Sequence, residues 1–201
     1  DRYQQLLLAN LELVEVTRPL LETFKNMTKI ASDYILYLCD RDGTFLLQCG
    51  DMVRSAREGL VWREDTIGTC AHSLCMRLKR SIQLIGPEHY CEELKDIIAS
   101  AAPIFDEQGE PIASLILGQP FKEEFLGNGF EMILSHTLAL ITALARAVEL
   151  RLNLNQTNRR LEESLNLVIK TNCDLTTTKN LLETTFAFID DGIVTINAEG
   201  I

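Results

Sequence analysis

Five side chains able to bind a metal or to react as nucleophiles lie within 22 residues of one another. They are Cys70, His72, Cys75, His89 and Cys91. Thiolate and imidazole groups are common ligands of zinc and iron. Their spacing contains no C-x-x-C pair and matches no common ligand motif. A metal- or redox-sensing site built from these residues is therefore one hypothesis, and the sequence leaves any cofactor unknown.

Three of these residues lie on one predicted helix, from about Thr69 to Arg80. Helical spacing predicts an inner face made of Ala71, Leu74, Cys75 and Leu78. At 100° per residue, Cys70 falls about 90° to one side of that face and His72 about 110° to the other, which counts against one shared metal ion. Thr69 is the predicted N-cap. The helix dipole favours a thiolate at the helix start, so we predict that Cys70 or Cys91 reacts first with thiol reagents and Cys75 last.

Patterns typical of enzymes are missing from the sequence. It contains no G-x-S-x-G turn, no phosphate-binding loop and no H-E-x-x-H motif. His89 and Cys91 are two residues apart, a spacing that puts them on one strand face by default, so the pair is a weak indication of a Cys–His nucleophile. We predict a chain without catalytic residues that is not an enzyme.

Composition and charge exclude several classes of partner. The 201 residues are 46% hydrophobic, enough for a packed core, and the net charge is −10. Binding to nucleic acid or to an anionic membrane requires concentrated positive charge, so neither is expected of this chain. No run of 18 apolar residues predicts a membrane span. The six cysteines are expected to be reduced thiols of a cytoplasmic protein.

The middle of the chain predicts an α+β domain with an antiparallel sheet of about five or six strands and helices packed on it. Two hairpins share the same turn chemistry, since each carries an aspartate followed three residues later by Gly43 or Gly109. Strand patterns cover 34–39, 45–47, 81–85, 97–105 and 111–117. An amphipathic helix over 3–27 precedes them, with Pro19 as its predicted break or kink.

A long helix is predicted from about 129 to 183, since no proline or glycine follows Gly129 in this stretch. One heptad phase has d positions at Leu140, Ala147, Leu154, Leu161, Val168, Leu175 and Leu182. Its a positions are Leu144, Arg151, Asn158, Leu165, Asn172 and Lys179. Apolar d residues with polar a residues predict a weak parallel coiled-coil dimer, in which Asn158 and Asn172 fix the register. The alternative is a solvated helix lying on its own domain.

The pattern changes again after this helix. Phe186–Ile201 contains Asp-Gly, a short strand and a turn. The expected order is an N-terminal helix (1–28), a sensor domain (29–125), a signalling and dimerisation helix (126–185) and the start of a further domain (186–201), which would make the chain a fragment of a longer protein.

Three motifs carry a resemblance to a known family. They are Trp62–Ala71 (W-x-E-x-x-I-G-T-x-A), Gly86–Tyr90 (G-x-E-H-Y) and Ser100–Gly109 (S-A-A-P-I-F-D-x-x-G). Together they resemble GAF sensor domains of bacterial sigma-54-dependent, AcoR-like enhancer-binding activators, over about residues 30–120. Phe186–Ile201 resembles the opening of a PAS domain.

The resemblance implies a ligand pocket between one sheet face and a covering layer of helix and loop. The implied pocket residues are Trp62, Thr69, Cys70, Ser73, His89, Tyr90, Cys91 and Ser100. We expect Trp62, Cys70, His89 and Tyr90 to line one cavity, and Tyr90→Ala to alter the ligand response without unfolding. The implied partners are a small-molecule effector, a second copy of the chain and, for the longer protein, DNA and sigma-54 RNA polymerase.

The chain departs from the family pattern at the pocket helix. The family usually has Gly-Thr-Asn-Ala followed by aliphatic or small residues, whereas Cys70, His72 and Cys75 stand at those positions here. Three functions therefore stay open: small-molecule sensing, metal or redox sensing, and a domain without ligand that serves dimerisation or protein docking.

Overall fold

The computed structural model describes residues 2–27, 34–50, 59–121 and 129–187. The chain divides into two compact units, Asp1–Leu154 and Asn155–Ile201. The domain borders expected from the sequence stay predictions. The predicted PAS start at 186–201 lies outside the described residues except for its first two positions.

The described part of the first unit contains a five-stranded antiparallel sheet, which confirms the predicted α+β class. The strands are β1 (Ile35–Asp40), β2 (Phe45–Gly50), β3 (Ile82–Ile85), β4 (Ile97–Phe105) and β5 (Pro111–Pro120). Their order across the sheet is β2-β1-β5-β4-β3, so β5 lies at the centre.

The two predicted hairpins form through the same local chemistry. The Asp40 carboxylate accepts the backbone N–H groups of Asp42 at 2.9 Å and Thr44 at 2.7 Å. Asp106 holds the β4–β5 turn in the same way. Glycine follows at the position with φ near +80° in both turns, a conformation that costs glycine little.

Two helices precede the sheet, α1 (Arg2–Ala9) and α2 (Leu11–Met27). The break lies at Asn10, and of the two alternatives expected at Pro19 the break does not form, because α2 continues through that residue. The Asn10 side-chain amide donates to the carbonyl of Leu6 at 3.0 Å. Asparagine side chains compete in this way for helix carbonyls, which explains an interruption at this site.

Two shorter helices follow the first hairpin, α3 (Glu64–Ile67) and α4 (Ala71–Leu78). Cys70 is the N-cap of α4, so the prediction of Thr69 as the cap is wrong. Gly68, with φ of +72°, ends α3, and the chain then runs extended into α4 at Cys70. The connection leaves Thr69 one residue too early to cap the helix.

The final helix, α5, extends from Phe130 to Ala187 and confirms the predicted long C-terminal helix. In the first unit its inner stripe packs with α2 on one face of the sheet, which we call the helix-covered face. The buried residues of this stripe are Thr137, Ile141, Ala145, Val148, Glu149 and Leu152. Up to Leu152, therefore, α5 follows the alternative in which the helix lies on its own domain.

The exposure of the heptad side chains differs between the two units. In the first unit Leu144 is partly buried against the core, whereas Leu140 is 42% and Leu154 51% exposed. In the second unit the heptad residues are exposed in the single chain, and they are Asn158, Leu161, Leu165, Val168, Asn172, Leu175, Lys179 and Leu182. The structure contains one copy of the chain, so the parallel dimer stays a prediction.

Length and composition would let one helix among the described residues, α5, cross a bilayer. Length and composition therefore do not exclude a membrane span, contrary to the expectation from uninterrupted apolar runs. Part of the apolar surface of α5, at Ile141, Ala145 and Val148, packs on the sheet. This packing gives those residues a protein partner without any membrane.

Candidate ligand-binding cavity

A cavity of about 680 Å³ lies on the sheet face opposite α5, which we call the cavity face. Strands β1, β4 and β5 form its floor, and the segments 60–67 and 91–96 form its walls. Its described lining consists of Ile35, Tyr37, Leu60, Val61, Trp62, Ile67, Cys91, Glu93, Leu94, Asp96, Ile97, Ala99, Ile116 and Gly118. The volume falls in the range of small-molecule pockets.

A cluster of three aromatic rings supports the cavity, since Tyr37 and Trp62 line it and Phe45 packs against both. Tyr37 stacks on Phe45 with ring centroids 4.6 Å apart, and Trp62 meets Phe45 edge to face at 4.9 Å. Phe45 is fully buried beneath the other two rings. Because each ring is held by its neighbours, Tyr37 and Trp62 present preformed surfaces to a ligand.

The depth of the cavity comes from two small residues opposite each other. Ala99 on β4 and Gly118 on β5 are partners in the sheet. A Cβ atom on Gly118 would lie 3.0 Å from Cγ2 of Ile35. Larger side chains at these two positions would fill the floor of the cavity.

The structure brings together only two of the eight implied pocket residues. Trp62 and Cys91 line the cavity, whereas the described lining does not include Thr69, Cys70, Ser73, His89, Tyr90 or Ser100. Thus Cys70, His89 and Tyr90 do not join Trp62 there, and the expectation that these four line one cavity is wrong.

Tyr90 and Ser100 show why the expectation failed. Tyr90 is 78% exposed, and its ring lies where a Cβ of Gly68 would be, so it covers that glycine from outside. We therefore no longer expect Tyr90→Ala to change the cavity. Ser100 follows Ala99 on β4, and alternate residues of a strand point to opposite faces, so Ser100 lies on the helix-covered face.

His89 is buried, but its side chain contacts the backbone of its own loop instead of the cavity. Its Nδ1 lies 3.1 Å from the carbonyl oxygen of Gly86, and its Nε2 has no hydrogen-bond partner among the described groups. Burial lowers the pKa of this imidazole. The loop therefore holds a neutral histidine at neutral pH.

The remaining predicted metal ligands surround α4, whose inner face is rotated from the predicted one. His72 is 2% exposed and Leu78 is 48% exposed, so the two exchange places relative to the prediction. His72 Nδ1 lies 2.8 Å from Ser114 Oγ on β5. Burial lowers the pKa of His72 to about 4, while a hydrogen bond with the backbone of Arg41 and the charge of Asp42 act in the opposite direction.

Buried thiols accompany His72 on the cavity face. Cys39, Cys70 and Cys75 are each at most 1% exposed. Burial raises the pKa of Cys75 to about 12 and that of Cys39 well above its ordinary value. Within the described ranges, no group of three or more histidine, cysteine or acidic residues has the geometry of a metal site.

We expect the rate of thiol labelling to follow side-chain exposure. This order differs from the expectation from the sequence that Cys70 or Cys91 reacts first. Cys173 on α5 is exposed, Cys49 and Cys91 are half-buried, and Cys70 is 1% exposed with its Sγ 3.2 Å from Ser73 Oγ. We expect a maleimide to modify Cys173 first, which mass spectrometry of tryptic peptides would show. Modification of Cys70 before Cys173 in the native protein would contradict this structure.

Polar side chains tie the far side of the sheet to α5. Gln83 Nε2 on β3 donates to Ser100 Oγ at 2.7 Å and to Thr137 Oγ1 at 3.1 Å. Glu149 Oε1 accepts the backbone N–H of Phe105 at 2.9 Å, where β4 is irregular. Strand β4 thus lines the cavity with Ile97 and Ala99, bonds α5 directly at Phe105, and is linked to α5 at Ser100 through Gln83 of β3.

Comparison with known proteins gives a sequence relative and several solved structures that resemble this chain. No family model matches the chain. It is 25% identical over 168 residues to a signal-transduction and transcriptional-control protein of Clostridium beijerinckii, over 80% of this chain and 25% of that protein. The chain therefore spans about a quarter of the length of this curated relative.

Among solved structures, a chain of the E. coli DhaR(N)–DhaL complex aligns with a TM-score of 0.69 and 21% identity, over 85% of this chain and 57% of that one. The two chains share a fold. The A. aeolicus nlh2 GAF domain in an inactive state aligns with a TM-score of 0.46 and 11% identity, over 72% of this chain and 98% of that one.

Proposed function

We propose that this chain is a ligand-sensing module of a bacterial transcriptional activator. The observation that carries the proposal is the cavity of about 680 Å³ on one sheet face, with α5 packed on the opposite face. In this proposal a small molecule binds in the cavity, and α5 on the opposite sheet face transmits the effect of binding. The similarity to a protein named for signal transduction and transcriptional control supports this function.

The finer assignment follows the sequence motifs. We infer a GAF domain of the AcoR-like, sigma-54-dependent type, followed by the start of a PAS domain at 186–201. In this assignment the module acts in the cytoplasm and does not itself touch DNA or a membrane. The longer protein contacts DNA and sigma-54 RNA polymerase through other parts. The domain borders expected from the sequence belong to the same proposal.

Strand β4 is the proposed route of the signal. Ile97 and Ala99 face the cavity, whereas Ser100 and Phe105 are hydrogen-bonded to Gln83 and Glu149 on the other side. We propose that β4 has two arrangements, and a ligand that binds one of them more tightly shifts the population toward it, together with its hydrogen bonds to Gln83 and Glu149. The free energy that drives this shift is the difference in the ligand's binding free energy between the two arrangements.

The output element is a parallel dimer through α5. In the second unit Leu161, Leu165, Val168 and Leu175 are between 53% and 67% exposed in the single chain. Burying each against a second copy would contribute about 1.5–3 kcal/mol. The polar residues Asn158, Asn172 and Lys179 in the same stripe keep the free energy of dimerisation modest, so a bound ligand is able to shift the dimer equilibrium.

Filling the cavity tests the sensing role. Ala99→Leu places a larger side chain at the cavity floor, whereas Ala143→Leu adds the same side chain at an exposed position of α5. We expect a screen of small metabolites by thermal shift to find compounds that raise the melting temperature of the wild type and of Ala143→Leu by several degrees. Ala99→Leu should lose that response.

A folded Ala99→Leu protein is required, and its unliganded melting curve provides that control. Ala99→Val is the smaller substitution if leucine overpacks the floor. Compounds that stabilise the cavity-filled protein and the wild type equally would place the binding site elsewhere and refute the proposal.

A further inference from the structure

The end of α5 differs in composition from the part of the helix that packs on the sheet. Of the fifteen residues 171–185, which we call the threonine segment, six are threonine, two asparagine, one aspartate and one cysteine. All four residue types are poor helix formers. Residues 139–153 of the same helix contain four alanines and four leucines, which are strong helix formers. The threonine segment therefore has the weaker helix propensity.

The threonine hydroxyl groups are all bonded to the helix itself. Each donates to the backbone carbonyl oxygen four residues earlier, at 2.7–2.9 Å, and the six residues are Thr171, Thr176, Thr177, Thr178, Thr184 and Thr185. Hydrogen bonds of this kind slightly destabilise helices and often bend them. The hydroxyl groups therefore do not offset the low helix propensity of the segment.

The charges of the segment are also poorly placed for a helix. Lys179 Nζ lies 3.6 Å from Oε1 of Glu183, four residues later. At this spacing a glutamate before a lysine stabilises a helix more than the reverse order, which is the one present here. The last turn of α5 contains no basic residue, although the helix dipole favours cations at that end. Electrostatics therefore add little to the stability of the segment.

The threonine segment also lacks a packing partner within the single chain. Every residue in it is exposed, including Leu175 at 67% and Leu182 at 52%. Most of the stability of helices in proteins comes from packing of an apolar face and not from propensity. In the first unit, Ile141, Ala145 and Val148 of α5 are buried in this way. The segment would gain the same kind of packing from a second chain.

We propose that the threonine segment is a conditional helix, which unwinds in the single chain and folds when Leu175 and Leu182 pack against a second copy. The structure shows the folded form. This inference rests on the proposed dimer and adds an order–disorder transition to it. Part of the free energy of pairing is used to fold the segment, as in other cases of coupled folding and binding, and this keeps the dimer reversible.

Substitutions that face away from the partner distinguish a conditional helix from a permanent one. Thr177 and Thr184 each lie two positions after a d site of the heptad, on the side opposite the pairing stripe. Alanine at both positions raises helix propensity without changing the interface. If the segment folds only on pairing, both chains gain this stabilisation in the dimer, so the dissociation constant falls. If it is already helical in the single chain, the dissociation constant stays the same.

Sedimentation equilibrium of the full chain should show that Thr177→Ala with Thr184→Ala lowers the dissociation constant of the dimer at least about tenfold. Thr177→Val with Thr184→Val is the matched control, because valine has about the same helix propensity as threonine. We expect the valine pair to stay within about twofold of the wild type.

Hydrogen exchange followed by mass spectrometry provides the second measurement. Well below the dissociation constant, amides of 171–185 should exchange within about tenfold of the rate of an unstructured peptide, whereas those of 141–152 should be protected at least about 1,000-fold. Well above it, exchange in 171–185 should slow at least about 100-fold.

The outcomes separate this inference from the proposed dimer. A dimer whose dissociation constant is the same in the wild type and the alanine pair would overturn conditional folding and leave the dimer in place. Protection of 171–185 equal to that of 141–152 in the single chain would do the same. A wild type that sediments as a monomer at tens of micromolar would refute the proposed dimer, and conditional folding with it.

Discussion

Replacing Asn158 and Asn172 together by leucine is expected to lower the dissociation constant of the dimer by at least about 100-fold, or about 2.7 kcal/mol. Both residues occupy predicted a positions and are exposed in the single chain. Each leucine buried at the seam contributes about 1.5–3 kcal/mol, and the dimer would gain four of them. Sedimentation equilibrium over a range of concentrations measures the change.

The same variant should lose its single oligomeric state, because buried asparagine fixes register and strand number in coiled coils. Asn166→Leu with Asn180→Leu is the matched control, since these exposed residues lie one position after the heptad a sites Leu165 and Lys179. Equal tightening by both pairs would show that the stripe through Asn158 and Asn172 is not the interface. A monomeric wild type at tens of micromolar would refute the dimer altogether.

Acidification from pH 7.5 to 4.5 is expected to cost about 2–3 kcal/mol of folding stability through His72 alone. Burial lowers the pKa of His72 from 6.5 to about 4, so in this pH range the unfolded chain binds a proton that the folded chain does not. The contribution of His72 to the free energy of unfolding is therefore constant above pH 6.5 and decreases as the pH falls toward 4. Urea unfolding at the two pH values measures it.

The control for this prediction uses the other histidines. His72→Gln should remove about 2–3 kcal/mol of the difference between the two pH values, with His136→Gln at an exposed position as the matched control. His89, whose pKa burial also lowers, adds to the pH dependence with the same sign and remains in both variants. An unchanged pH dependence in His72→Gln would show that His72 is not held neutral in the folded protein.

Local chemistry made much of the fold predictable. The hairpins follow from Asp40 and Asp106, whose carboxylates bind backbone groups within four residues. The long helix follows from a stretch without proline or glycine. The break in the N-terminal helix was misplaced because a proline is a stronger signal in the sequence than a single asparagine.

Features that depend on contacts between distant segments were harder to predict. Helix α4 has only eight residues, and such a short amphipathic pattern does not distinguish His72 from Leu78 as the inward residue. Contact with Ser114, 42 residues away, decides the matter. The cavity floor likewise depends on Ala99 and Gly118 meeting across the sheet. Alternate residues of a strand point to opposite sheet faces, so Ser100, next to Ala99 on β4, is predictable as a residue of the face opposite the cavity.

Occupancy of the cavity is proposed to change the pairing of α5, and distance measurements between spin labels at Cys173 by double electron–electron resonance test this proposal most directly. Cys173 is exposed on α5, so brief labelling with one equivalent of spin label should modify it ahead of half-buried Cys49 and of half-buried Cys91, which lines the cavity and is kept. Without ligand, a parallel in-register dimer predicts a single short distance between the two labels. Adding a compound that Ala99→Leu rejects should shift this distribution in the wild-type cavity and leave it unchanged in the Ala99→Leu background. Saturable binding, shown by Trp62 fluorescence, with no shift in the distance distribution would contradict the account.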